Sequence, residues 1–128
     1  MDPTIIHFEI PAEDVDRLKS FYENLFGWKI VKTPSDFMEY WVIQTVPTDD
    51  KGMPMRPGVN GGMYKKQSES NTPVNYVRVE DIDKALIKVA KLGGKVTMGK
   101  QEVPGIGYVA QIRDPEGNPI AMIHPTRE

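Results

Sequence analysis

The chain has 128 residues and a mass of 14.5 kDa, enough for one domain, or two small modules sharing a core, to fold without staples. It has no Cys, which excludes disulfides, and its 16 Lys+Arg against 18 Asp+Glu leave a net charge of -2, with no basic footprint for nucleic acid. No apolar run approaches a membrane span, so the expected partner is a small molecule or another protein. A cysteine-free chain that starts at Met-Asp-Pro-Thr, without a charged-then-apolar leader, reads as cytoplasmic.

Residues 4–10 alternate and are rich in apolar side chains, which predicts a strand ended by Pro11. Asp14 is a candidate N-cap, after which Val15, Leu18, Phe21, Tyr22, Leu25 and Phe26 recur at helical spacing until Gly27. Residues 28–31 read as a strand, 34–36 as a turn, and 38–46 as a longer strand. Residues 47–60 carry three Pro and two Gly and read as a loop before a short strand at 61–65. Residues 66–73 are polar and turn-rich, the best linker candidate.

After the linker the order repeats: a strand at 74–79, an N-cap at Asp81, a helix carrying Ile82, Ala85, Leu86, Val89 and Leu92, a Gly93-Gly94 stop, and strands at 96–98 and 108–113. In Asp114-Pro115-Glu116-Gly117-Asn118 the carboxylate can bond the backbone ahead of it, Pro115 pre-sets its φ, and Gly117 can take a left-handed φ. Such a turn pairs Arg113 with Pro119, Ile112 with Ile120 and Gln111 with Ala121. His124 falls in the closing His-Pro-Thr-Arg-Glu and reads as an exposed residue near an unstructured end.

The halves keep register. An offset of 67 residues carries Asp14 onto Asp81, Gly27 onto Gly94, Trp41 onto Tyr108 and Gln44 onto Gln111. An α+β fold of two tandem βαβββ modules is therefore expected, at about residues 1–65 and 74–128 with the linker between.

The order His7, Asp14, Phe21-Tyr22, then Val79-Glu80-Asp81-Ile82-Asp83, Leu92-Gly93-Gly94 and Asp114-Pro115-Glu116-Gly117-Asn118 resembles the vicinal oxygen chelate superfamily, which includes glyoxalase I, extradiol dioxygenases and the fosfomycin- and bleomycin-resistance proteins. The resemblance covers nearly the whole chain. It implies a single domain in which the paired modules form an open curved-sheet barrel around a cavity, usually in a homodimer. It also implies a divalent metal held from up to four positions, which fall here on His7, Gly62, Val74 and Ala121. Only His7 can ligate, whereas a zinc, iron or manganese site needs three or more N, O or S donors. No cofactor is therefore expected, and a divalent metal belongs to an alternative reading in which Glu9 or Gln111 swings in beside His7.

The pleat parity set by the hairpin and moved through the offset assigns His7, Glu9, Tyr40, Val42, Gln44, Tyr64, Val74, Tyr76, Arg78, Val109, Gln111, Ala121 and Ile123 to the cavity face. The opposite face receives Phe8, Trp41, Ile43, Val77, Tyr108, Ala110 and Ile112. The ligand-binding candidates are His7, Tyr40, Gln44, Tyr64, Tyr76, Arg78 and Gln111, an apolar surround with a few polar groups. His7 and Glu9 are also candidates for acid-base catalysis. Ordinary roles stay open for each: His7 as a satisfied interior histidine, Glu9 as a strand-end carboxylate pairing with Arg78, and the tyrosines as apolar bodies with wet tips. Met53 and Met55 can form an adaptable lid or simply pack their loop down.

The leading expectation is a glyoxalase-like, metal-free protein binding a small organic molecule in a cavity between the two βαβββ modules. Its rivals are an enzyme of the family (lyase, isomerase or dioxygenase with displaced ligands, or a His7/Glu9 acid-base catalyst) and an interaction protein whose cavity is filled by its own side chains. Other chemistries lack their motifs: there is no Gly-x-Ser-x-Gly elbow, phosphate-binding glycine loop or His-Glu-x-x-His pair.

Overall fold

The structure, a computed structural model, describes residues 2–34 and 39–126. Its elements run β1 (Ile5–Ala12), α1 (Val15–Phe26), β2 (Lys29–Lys32), β3 (Tyr40–Gln44), β4 (Gly61–Lys65), β5 (Val74–Arg78), α2 (Ile82–Lys91), β6 (Lys95–Val103), β7 (Gly107–Arg113) and β8 (Pro119–Pro125). This is an α+β fold with βαβββ written twice. By contacts the chain forms two compact units, His7–Pro73 on the one hand and Met1–Ile6 with Val74–Glu128 on the other.

In the His7–Pro73 unit the strands lie in the order β2-β3-β4-β1, with β1 parallel to β4 and the other pairs antiparallel. Helix α1 starts where the Asp14 carboxylate accepts from Arg17 N at 3.0 Å, satisfying one of the donors a helix leaves open at its start. It stops at Gly27, whose φ of 75° is left-handed and whose N–H returns to Glu23 O at 2.9 Å. Val15, Leu18 and Tyr22 pack with Phe8, Ile10, Trp28 and Trp41 on a buried core of Ala12, Ile30, Ile43 and Met63. The full apolar stripe expected of α1 does not reach this core: Phe21, Leu25 and Phe26 stay 57%, 58% and 56% exposed. Phe21 lies about 100° around the helix from Tyr22, which takes the sheet-facing place.

Strand bounds differ from expectation for readable reasons. Pro11 does not end β1, because a proline removes only a donor; the ladder continues opposite Tyr64, and Lys66 N donates to Ala12 O at 2.8 Å. β3 stops at Gln44 because the Asn60 side chain captures the next backbone, its Oδ1 accepting from Thr45 N at 2.7 Å and Val46 N at 3.0 Å. The expected start of that strand at Met38, and the turn through Asp36, lie outside the described residues.

In the other unit the order is β5-β8-β7-β6, with β5 parallel to β8. Asp81 caps α2 by accepting from Lys84 N at 3.0 Å. The left-handed residue after α2 is Gly93, φ 91°, and not Gly94 as the offset from Gly27 suggests; α2 has 10 residues against 12 in α1, so the stop comes early. On the helix side, Ile82, Ala110 and Met122 pack with Val79, Ala85, Leu86, Tyr108 and Ile112. The opposite side is a second apolar cluster of Tyr76, Val109, Ala121 and Ile123 with Ile6, Val74, Met98 and Ile106.

The β7–β8 hairpin pairs Arg113 with Pro119, Ile112 with Ile120 and Gln111 with Ala121, as its turn chemistry predicts. Asp114 Oδ1 accepts from Glu116 N and Asn118 N, both at 2.9 Å, and Oδ2 accepts from Asn118 Nδ2 at 3.0 Å. Asn118, then Glu116 and Gly117, hold the Asp114 carboxyl below its usual pKa. Two expectations fail here. β6 is far longer than residues 96–98, because bulges between Val96 and Gln101 break the alternation that marks a strand. β8 runs to Pro125, so His124 is not at an unstructured end: it is half-buried, paired with Tyr108, and its Nδ1 lies 3.1 Å from Val79 O.

Candidate functional site

Strand alternation sorts the His7–Pro73 sheet into two faces. Phe8, Ile10, Trp41, Ile43 and Met63 turn toward α1. His7, Glu9, Tyr40, Val42, Gln44, Gly62 and Tyr64 therefore share the other face. Register brings them close: Glu9 and Val42 both lie opposite Gly62, and Tyr40 lies opposite Tyr64.

The centre of this face is the Tyr40 hydroxyl. It donates to Glu9 Oε2 at 2.9 Å and lies 3.0 Å from His7 Nε2, while the His7 and Glu9 atoms are 3.6 Å apart. With the phenol proton on the Glu9 side, His7 Nε2 carries a hydrogen and donates to Tyr40. The side chains of His7 and Glu9 are 27% and 20% exposed, so the group is partly buried and reachable from solvent.

Gly62 is what lets Tyr40 lie there. A Cβ on Gly62 would overlap the Tyr40 hydroxyl and the ring carbon that bears it. The ring uses room that any other residue would fill, the close approach that a strand glycine marks. Tyr64 belongs to the same neighbourhood: burial, and then the Glu9 charge, raise its phenol pKa and keep it a neutral donor.

The other candidates are placed as follows. The Gln44 amide donates to Thr48 Oγ1 at 3.2 Å, toward the start of the 47–60 loop. Tyr76 is 5% exposed within the apolar cluster of the second unit, opposite Ala121 across the β5–β8 ladder. Arg78 lies opposite Ile123 on the same ladder, and Gln111 opposite Ala121. The structure thus brings His7, Glu9, Tyr40 and Tyr64 together within one unit. Two surface grooves, one of about 340 Å³ beside Asp14, Arg17 and Lys66 and one of about 220 Å³ beside Asp83, Lys100 and His124, include none of the candidates. We assign the site by its convergent polar groups, which lie in neither groove.

The four positions that the family resemblance assigns to metal offer one imidazole. His7 has its phenol partner, the room at Gly62 is taken by Tyr40, and Val74 and Ala121 have hydrocarbon side chains packed in an apolar cluster. Among the described residues no group of three or more His, Cys, Asp or Glu converges. This donor set does not fit a divalent ion.

A βαβββ motif written twice, with a histidine on its first strand, is the arrangement that the resemblance to the vicinal oxygen chelate superfamily implies, and comparison with known proteins agrees. Residues 4–122 match the model of the Glyoxalase/Bleomycin resistance protein/Dioxygenase superfamily, and the chain belongs to that family. It is 29% identical over 121 residues to a glyoxylase-like domain-containing protein of Didymella fabae, covering 89% of this chain and 88% of that protein. It is 27% identical over 124 residues to CFP32, a candidate glyoxylase of Mycobacterium tuberculosis, covering 93% of this chain but 44% of CFP32, so it spans less than half of that relative. Among solved structures, a variant of Streptomyces coelicolor methylmalonyl-CoA epimerase in complex with 2-nitronate-propionyl-CoA superposes with a TM-score of 0.68 at 13% identity, covering 97% of this chain and 95% of that one.

Proposed function

We propose that this glyoxalase-like chain binds a small organic molecule on the polar sheet face of its first module, and that binding needs no divalent metal. The observation that carries the reading is the place of Tyr40: its hydroxyl, seated over Gly62, engages both His7 and Glu9. A phenol held there takes the space a further metal donor would need, and its two bonds mark His7 and Glu9 as the polar pair that a ligand displacing it would meet. The Streptomyces coelicolor epimerase, of like fold, holds a small organic ligand, 2-nitronate-propionyl-CoA. We also place the protein in the cytoplasm, on its lack of cysteine, and in a homodimer, on the exposed Phe21, Leu25 and Phe26.

The test is metal analysis of the purified protein together with native mass spectrometry for a co-purified small molecule. Substoichiometric zinc, nickel, iron and manganese, and a melting temperature unchanged by chelator, are expected. One tightly held metal per chain, lost in His7→Ala, would overturn the reading.

A second reading, acid-base catalysis, is favoured by the continuous hydrogen-bonded path from His7 through Tyr40 to Glu9. Incubation of methylmalonyl-CoA in deuterated water tests it: deuterium uptake catalysed by the native protein and lost in Glu9→Gln would promote the enzyme over the binding protein.

A further inference from the structure

Resting on the reading that this face binds a small molecule, we propose that the His7–Glu9 pair above Gly62 recognises one neutral hydroxyl group, so that the ligand is an alcohol or a phenol, and that Tyr40 fills the place as an internal occupant.

The chemistry of the pair selects the group. Oxygen at this position must accept from His7 Nε2 and donate to Glu9 Oε2, two atoms 3.6 Å apart. The Tyr40 hydroxyl does both, at 3.0 and 2.9 Å. A carboxylate has no proton to give and would meet the Glu9 charge. An ammonium has nothing with which to accept from His7, and a ketone accepts but cannot donate. A hydroxyl offers a hydrogen and a lone pair on a single small atom, and the protein itself supplies one in Tyr40.

The surroundings suit a hydroxyl carried on a flat body. Gly62 leaves the strand backbone bare beneath the ring of Tyr40, the aromatic ring lies where a side chain would otherwise project, and the Tyr64 phenol stands on the neighbouring strand position as a further neutral donor. A ligand entering this place must displace Tyr40, and its apparent affinity is lowered by the small fraction of molecules in which Tyr40 has swung out.

The experiment opens the place and offers it simple probes. Tyr40→Ala removes the occupant, and Tyr40→Val does so with a residue that strands favour, as a second host should the first fail to fold. Phenol, benzene and benzoate are titrated by nuclear magnetic resonance into each folded variant and into the native protein. Phenol is neutral at pH 7, its ionisation resembling that of tyrosine near 10. It should bind the opened variants at least about tenfold more tightly than benzene does, the scale of one hydrogen bond to a charged group. It should also bind them at least about tenfold more tightly than it binds the native protein, benzoate should not bind, and Glu9→Ala added to the opened variant should erase the preference for phenol. Equal binding of phenol and benzene, benzoate binding as well as phenol, or no phenol binding to a folded opened variant would each overturn the proposal. The native protein, where phenol competes with Tyr40, must give the same ranking at weaker affinity, and benzene binding there as well as phenol would overturn it on its own. None of these titrations reads metal content or co-purified ligand, so the proposal can fail while the binding function stands.

Discussion

Replacing Gly62 by alanine should reverse the usual sign of that substitution. Gly62 has no positive φ, so its backbone accepts an L-residue, and a glycine-to-alanine change at a compatible position ordinarily stabilises by about 0.4–1 kcal/mol through the unfolded chain. Here the new methyl would overlap the Tyr40 hydroxyl, so the ring must leave and both of its hydrogen bonds go with it. The bond to the Glu9 carboxylate is of the kind worth about 1.5–3 kcal/mol and the one to His7 of the kind worth about 0.5–1.5. Because His7 and Glu9 are 27% and 20% exposed, water recovers part of that. A net loss of about 1–3 kcal/mol follows after the backbone gain. Urea unfolding of four proteins (native, Gly62→Ala, Tyr40→Ala and the double variant) isolates the effect. In the Tyr40→Ala background the methyl meets empty space, and Gly62→Ala should be neutral or stabilising. If it costs the same in both backgrounds, to within the ~0.5 kcal/mol of ordinary additivity, Tyr40 does not occupy the space over Gly62 and the site described above is wrong.

Other outcomes follow from single residues. Asp14→Ala and Asp81→Ala should each cost about 1 kcal/mol in chemical denaturation, as removal of an N-cap does, and a loss in only one helix would break the equivalence of the modules. The Asp114 carboxyl has a pKa below its unfolded value, so its contribution is present above that unfolded value, near 3.9, and disappears as pH falls through the folded one; Asp114→Ala should flatten this part of the acid decline in thermal melts. Tyr64 has the opposite sign: its pKa is raised, so its contribution is whole below the unfolded value near 10 and is lost as pH rises through the folded one. Spectrophotometric titration of Glu9→Gln should show Tyr64 ionising at lower pH than in the native protein, and no change would mean the two groups are not neighbours. Light scattering at micromolar concentration should give a dimer mass, and a monomer would remove the homodimer reading.

The elements that the sequence shows plainly are those whose signals are local. Asp14, Asp81 and the Asp114–Asn118 turn each act within a few residues, and their caps and pairings appear where the side-chain chemistry says they should. The sorting of Phe8, Trp41 and Ile43 to one helix, and of Tyr108, Ala110 and Ile112 to the other, follows from strand period alone. What escaped depends on distant partners. The bulges of β6 answer to β7, the early end of β3 to Asn60, and the exposure of Phe21 and Leu25 to which line of α1 meets the sheet. The bonds of Tyr40 to His7 and Glu9 join residues 33 and 31 positions apart and hang on one rotamer, which no spacing encodes. One clue was present all the same: the glycine at 62, in mid-strand, signals a close approach, and Tyr40 is what approaches.

The compact units do not follow the seam of the repeat. Residues through Ile6 count with the stretch from Val74 onward: Arg78 N donates to Thr4 O at 2.9 Å, and Ile6 packs against the Tyr76 cluster. Cutting the gene at the linker would therefore yield a downstream fragment lacking part of its own fold, and an upstream one bearing an orphaned tail. Anyone wishing to express the second unit separately must graft the amino-terminal hexapeptide onto it, most simply by circular permutation, rather than trust the apparent domain boundary.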